Sequence, residues 1–108
     1  MVLSLVKIVD AKVVSKDAVL VVSYKVRAFP GFPPFINHDY ALVKDGKAIK
    51  DTWVSKFLPN LPFKTYTYKF SFGLPAERAA DQVFVGIYFA GFIGQLFPGW
   101  NDTIYLNI

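Results

Sequence analysis

His38 is the only histidine of the 108-residue chain, and Asp39 follows it directly. An imidazole beside a carboxylate could activate a nucleophilic serine or, together with Asp102, contribute to a metal site. The sequence lacks the GxSxG pattern of a nucleophile elbow, and no serine lies near His38 in the chain. A histidine next to an aspartate in a loop more often caps a turn, and we expect that role for His38.

Other catalytic signatures are also absent from the sequence. Glu77 is the single glutamate, so paired carboxylates for glycoside hydrolysis have no local support. No glycine-rich phosphate loop precedes a predicted helix. There is no cysteine, so no disulfide contributes to the fold, and cysteine usage does not indicate the redox compartment of the protein. The sequence therefore predicts a protein that is not an enzyme and that uses no cofactor or metal.

The composition is richer in apolar residues than one small core requires. Hydrophobic residues make up 54% of the chain and aromatic residues 18%, whereas about 45–50% apolar residues is typical of soluble domains. The length predicts a single domain over residues 1–108. No secretory signal is recognisable, and the longest apolar run, 83–97, is shorter than the about 20 residues of a membrane-spanning helix. We expect an intracellular or virion-associated protein with a partner for its surplus apolar surface.

Apolar and polar residues alternate with a period of two along most of the chain, which is typical of half-buried strands. Turn signals divide the pattern into seven predicted strands, A to G, at residues 2–14, 18–28, 39–44, 47–57, 63–72, 82–92 and 102–108. Between strands C and D, Asp45-Gly46 predicts a two-residue hairpin with positive φ angles. Seven short antiparallel strands predict an all-β sandwich of two sheets. A jelly roll or a barrel is the alternative.

The strand pattern of the whole chain resembles the immunoglobulin or fibronectin type III architecture. Trp53 and the Leu74-Pro75 turn before strand F fit this resemblance. The cysteine pair and the tyrosine of the corner are missing, and Trp53 falls on strand D rather than on strand C. The resemblance implies that strands A, B, E and D form one sheet and that C, F and G form the other. It transfers no functional residue.

Three loops at one end of the predicted sandwich are rich in proline and aromatic residues. The B–C, D–E and F–G connections share that end and contain six of the seven prolines. The candidate contact residues of this loop end are Phe32, Phe35, Leu58, Leu61, Phe97 and Trp100. Turn chemistry explains proline and glycine but not these side chains. They either plug the open end of the sandwich or form an exposed contact patch.

The outer faces of the two predicted sheets differ in chemistry. Strands C, F and G place apolar side chains on the outer face of their sheet, among them Phe84, Tyr88, Phe92 and Tyr105. These residues predict a homo-oligomer contact; the alternative is that long neighbouring side chains shield them. The other sheet sends out Lys25, Arg27, Lys50, Lys56 and Lys69. Exposed lysines keep a sheet soluble and discourage edge pairing, and they could also bind anions.

These surfaces predict a non-enzymatic structural or interaction module. It would self-associate or bind a protein partner through the apolar sheet face and the loop end, as part of an oligomer, filament, appendage or virion. The alternative is a module whose aromatic loop end binds a lipid surface, a small hydrophobic ligand, a peptide or a sugar. The third hypothesis is binding of anions or nucleic acid by the lysine-rich face. Only two arginines are present for forked phosphate contacts, so nucleic acid is the least favoured partner.

Overall fold

The computed structural model describes residues 6–16, 19–28, 35–59, 67–73, 80–89 and 101–108. Nearly all of them are in extended strands, as the period-two pattern of β-branched and aromatic residues predicts. The strands are β1 (Val6–Lys16), β2 (Val19–Ala28), β3 (Phe35–Lys44), β4 (Lys47–Ala48), β5 (Val54–Pro59), β6 (Thr67–Gly73), β7 (Gln82–Phe89) and β8 (Asn101–Asn107). A short 3-10 helix, Lys50–Thr52, separates β4 from β5.

The described strands form two antiparallel sheets that pack face to face. The first sheet has the order β1-β2-β6, and the second has the order β4-β3-β7-β8, with β5 also paired to β3. Alternate side chains of both sheets point into a common core. The buried core residues are Ile8, Leu20, Val22, Tyr24, Ile36, Tyr40, Leu42, Phe72, Val83, Val85 and Ile87. The prediction of an all-β, two-sheet antiparallel sandwich is confirmed.

The structure corrects the sheet assignment of predicted strand D. Residues 47–57 do not join the sheet of β1, β2 and β6; they form β4 and β5, which both pair with β3. The 3-10 helix interrupts the ladder at this place. The hydroxyl of Thr52 accepts a hydrogen bond from the backbone N–H of Leu42 (2.9 Å) and donates one to the carbonyl of Ile49 (2.6 Å). Because buried backbone donors need partners, the Thr52 hydroxyl supplies one for Leu42 where the ladder is interrupted.

The hairpin at Asp45-Gly46 lies where the sequence predicts it. Both residues have left-handed φ angles, 51° and 77°, and Lys44 pairs with Lys47 across the turn. This conformation matches the right-handed twist of the flanking strands, which is why an Asp-Gly pair is favoured there.

A β-bulge in β1 is a feature that the predicted strand A did not include. Between Val9 and Lys12, β1 has one residue more than the facing part of β2. Asp10 accommodates the extra length with a φ of 52°. The bulge shifts the alternation by one position. Ile8 and Val13, an odd number of residues apart, therefore both pack in the core.

Candidate interaction surfaces

His38 lies in the core of the sandwich rather than in a loop. It is a residue of β3, and its exposed fraction is 0%. Ile36 and Leu42 lie on the same side of the strand and are also buried. The expectation that His38 caps a turn is therefore wrong. The alternation that continues from Leu42 back to Ile36 is the signal that strand C begins at Phe35 and not at Asp39.

Two tyrosines contact the imidazole of His38, and a third, Tyr40, joins the cluster through Tyr24. The hydroxyl oxygen of Tyr24 lies 2.5 Å from Nδ1 of His38, and it also shares a hydrogen bond with the hydroxyl of Tyr40. The ring of Tyr68 lies 4.7 Å from that of His38 and 5.5 Å from that of Tyr24, measured between centroids. Because Tyr24 and Tyr68 belong to the first sheet and the other two residues to the second, this polar cluster links the sheets inside the core.

Burial keeps this cluster uncharged at neutral pH. It lowers the pKa of His38 from 6.5 to about 4, because a charged imidazolium would lose its hydration. The pKa of Tyr24 is raised, first by burial and then by Tyr40, and burial also raises the pKa of Tyr40. Nε2 of His38 has no hydrogen-bond partner among the described residues.

The three candidate residues for acid–base or metal chemistry do not converge. Asp39 follows His38 along β3, so its side chain points to the outer face of the sheet. Asp102 instead accepts a hydrogen bond from the backbone N–H of Ile8 (2.8 Å), where β1 meets β8. Within the described ranges, no group of three or more histidine, aspartate or glutamate side chains is placed to hold a metal ion.

A row of aromatic rings crosses the outer face of the five-stranded sheet. The ring of Phe84 lies between those of Trp53 and Tyr105, with centroids 5.3 Å from each. Phe84 is 7% exposed, whereas Trp53 is 45% and Tyr105 is 57% exposed. Ala41 and Val43 form a second buried cluster with Phe84 beneath this row. We call this surface the aromatic face; its members are Phe35, Trp53, Phe57, Phe84, Tyr88 and Tyr105.

Gly86 allows two of these rings to lie down on the sheet. A Cβ at Gly86 would be 2.6 Å from the hydroxyl of Tyr88 and 2.9 Å from Cζ of Phe84. Both rings therefore occupy the space that a side chain would need. Tyr88 is half-buried, and its pKa is raised by burial and secondarily by the negative charge of Asp39. Because Gly86 has no side chain, the rings of Phe84 and Tyr88 can cover the outer side of the central strand β7.

The second exposed part of the aromatic face is a stacked pair of phenylalanines. Phe35 and Phe57 have ring centroids 5.0 Å apart and planes inclined by 9°, and Phe57 is the most exposed of these rings at 58%. Of the predicted loop end, Phe35 is thus exposed, and Leu58 is half-buried on the inner side of β5. The other predicted loop-end residues, and Phe92 of the predicted sheet face, lie outside the described residues: Phe32, Leu61, Phe97 and Trp100.

Trp53 and Phe57 are contact candidates that the sequence pattern did not single out. Strand D was expected to send Lys50 and Lys56 outward, but β5 presents Phe57 outward and Lys56 inward. Nζ of Lys56 lies 5.1 Å from the ring centroid of Phe70 in the facing sheet. An inward-pointing lysine on an edge strand discourages pairing with another chain. Both sides of residues 53–58 mix apolar and polar residues, so the alternation alone does not identify Trp53 and Phe57 as outward-facing.

The aromatic face carries almost no charge. Asp39 is the single carboxylate among the described strand residues that point outward from this sheet, and none of those residues is a lysine, arginine or histidine. Oδ1 of Asp39 accepts hydrogen bonds from Nδ2 of Asn37 and Oγ of Ser55, at 2.7 Å each. Neighbouring side chains therefore already compensate part of this negative charge.

The outer face of the three-stranded sheet is basic. Lys25, Arg27 and Lys69 lie on it as predicted, whereas Lys50 is in the 3-10 helix and Lys56 points inward. β1 adds three lysines that the sequence did not single out, because the bulge keeps them on the outer side. We call this surface the basic face; its members are Lys7, Lys12, Lys16, Lys25, Arg27 and Lys69.

Comparisons of the chain with protein-family models, with curated proteins and with solved structures find no match. In the part of the chain that the structure describes, no helix has the length and apolar character needed to cross a membrane. The function is therefore inferred from the two outer faces themselves.

Proposed function

We propose that this protein is a non-enzymatic interaction module with an immunoglobulin-like or fibronectin type III-like sandwich, and that it self-associates through the aromatic face. The observation that carries the proposal is a set of exposed aromatic rings on an outer sheet face that is nearly free of charge. Contiguous exposed apolar surface of this kind marks a contact site. Aromatic residues are enriched and lysines are depleted in protein interfaces.

The distribution of charge favours a second copy of the chain as the partner. In a two-fold symmetric dimer, each face meets the same face of its partner. Two basic faces would bring six cations against six. Two aromatic faces would bring together only one carboxylate from each copy, and Asp39 is already hydrogen-bonded to Asn37 and Ser55. The aromatic face is therefore the outer face that can meet its own copy without strong repulsion.

The amount of exposed aromatic surface is sufficient for a stable contact. An aromatic side chain offers about 150–250 Å², and four members of the aromatic face are about half exposed: Phe35, Trp53, Phe57 and Tyr105. These rings alone provide on the order of 400 Å² of apolar area per copy. A standard interface buries about 800 Å² per partner, of which a little more than half is apolar. The aromatic face thus meets the requirement for a dimer of ordinary size.

The proposal is tested by placing a charge on each of the two exposed parts of the face. Phe57→Lys and Tyr105→Lys are made separately, and Val14→Lys is the matched control, because Val14 is 51% exposed on the opposite face. Sedimentation equilibrium measures self-association over a range of concentrations. We expect both face variants to weaken association at least about tenfold, a change of about 1.4 kcal/mol, and the control to associate like the wild type.

Two results would contradict the proposal. One is a wild-type protein that stays monomeric at every concentration tested. The other is a loss of association in Val14→Lys that equals the loss in the two face variants, since that would assign the effect to net charge. Thermal unfolding of each variant verifies that the substituted proteins are folded.

A further inference from the structure

The basic face concentrates the positive charge of the protein on one side. It holds six of the 12 lysine and arginine residues of the chain. Asp10, whose Oδ2 lies 3.9 Å from Nζ of Lys25, is the single acidic residue among the described outward positions of this sheet. Among the described residues, six of the ten cations but only one of the six acids belong to this face.

The cations cover an area rather than a line. Lys7 and Lys16 are nine positions apart on β1, which corresponds to roughly 30 Å along an extended strand. Across the sheet, Lys12 and Lys69 flank Ser23 on the central strand, and Ser23 is buried beneath its neighbours. A two-dimensional array of this kind is complementary to a plane of negative charges.

The residues between the lysines distinguish a lipid surface from a nucleic acid. The described outward side chains of this sheet include no aromatic ring on which a base could stack and only one guanidinium, Arg27, for forked phosphate contacts. Four valines lie among the lysines instead: Val9, Val14, Val19 and Val21. Val14 is 51% exposed and pairs with Val21 across β1 and β2, and Val9 pairs with Lys25. Apolar side chains among basic ones suit the boundary between lipid headgroups and acyl chains.

We infer that the basic face binds the surface of an anionic lipid bilayer. The lysines provide the attraction to negative headgroups, and Val14 and Val21 provide apolar contact in the row between Lys12 and Lys16. Each lysine near an anionic bilayer raises the affinity roughly fivefold. This inference does not depend on self-association, because it concerns the opposite sheet.

The test is co-sedimentation with phosphatidylcholine vesicles, with and without phosphatidylserine. The face variant combines Lys7→Gln, Lys12→Gln and Lys69→Gln. The control variant combines Lys44→Gln, Lys47→Gln and Lys50→Gln, which removes the same charge from exposed positions of β3, β4 and the 3-10 helix. We expect the wild type to bind only the vesicles with phosphatidylserine. The face variant should lose roughly 100-fold in affinity, while the control variant loses only a few-fold.

Two further measurements sharpen the result. Asp10→Asn removes the acid of the face and should raise the affinity roughly fivefold. Binding at about 0.1 M salt should disappear near 1 M, where the screening length falls to about 3 Å. The inference is overturned if the wild type ignores anionic vesicles, or if both triple variants lose the same affinity. It is also overturned if duplex DNA at equal phosphate concentration binds more tightly than the vesicles.

Discussion

Mild acid should destabilise this protein through a single residue. His38 is the only histidine, and burial lowers its pKa from 6.5 to about 4. Between pH 6.5 and about pH 4, His38 is therefore protonated in the unfolded chain but not in the folded protein. The free energy of unfolding falls as the pH falls through this interval. The pKa difference corresponds to a total loss of about 3 kcal/mol. About 2 kcal/mol of this loss should be present at pH 5.

Urea unfolding followed by intrinsic fluorescence, at several pH values from about 7 to about 5, measures this loss. The carboxyl groups of unfolded chains titrate near pH 4, so this interval isolates the histidine. His38→Leu is the control variant, because it removes the titrating group while Tyr24 keeps its hydrogen bond to Tyr40. We expect the free energy of unfolding of this variant to stay nearly constant over the same interval.

Equal stability of the wild-type protein at both ends of the interval would refute this reasoning, as would an identical pH dependence in His38→Leu. A second measurement does not depend on a variant. The imidazole resonances of His38 in the folded protein should stay unchanged from about pH 7 to pH 5 and shift only near pH 4. A midpoint close to 6.5 would show that water reaches the ring, in disagreement with its burial between Tyr24 and Tyr68.

Three further predictions concern the turn and the two faces. Gly46→Ala should lower the free energy of unfolding in urea by about 1–2 kcal/mol, because residue 46 has a left-handed φ. Gly73→Ala is the control: a Cβ there would meet nothing within 4 Å, so the free energy of unfolding should change by less than about 0.5 kcal/mol. Equal effects of the two substitutions would contradict this explanation. Gly86→Ala should displace the ring of Tyr88, lower the near-UV circular dichroism signal and cost about 1–2 kcal/mol, and an unchanged signal would refute the predicted displacement. If both proposed contacts form, the wild type should cluster anionic vesicles in a turbidity assay, whereas Phe57→Lys should bind them without clustering; clustering by that variant would count against the aromatic face as the bridge.

Clean alternation in the sequence was sufficient to locate two of the strands. Predicted strands B (18–28) and G (102–108) agree with β2 and β8 to within one residue, because every second residue is apolar from Ala18 to Ala28 and from Ile104 to Ile108. The Asp-Gly hairpin was equally predictable, since few residue pairs tolerate two left-handed φ angles. The bulge at Asp10 was not predictable from the alternation, because the extra residue of β1 is recognisable only from the register in which β1 pairs with β2.

The assignments that failed depend on tertiary contacts. In residues 53–58 both sides of the strand mix apolar and polar residues, so the sequence does not decide which side faces inward. Packing decides it: β5 lies at the edge of its sheet, where Lys56 can turn inward over Phe70 and keep its amine near solvent. The segment Asn37-His38-Asp39 has the polarity of a loop, and only the facing tyrosines make a buried histidine acceptable there.

The arrangement of the two faces determines how the proposed contacts relate to each other. In a two-layer sandwich each sheet has one side in the core, so the remaining sides face in opposite directions. A dimer formed through two aromatic faces therefore leaves both basic faces on its outside. Self-association and attachment to an anionic surface then do not compete for residues, and two basic faces on one particle increase the avidity for a surface or connect two surfaces. The two proposed contacts are compatible in a chain of 108 residues because the six cations and the exposed aromatic rings lie on opposite faces.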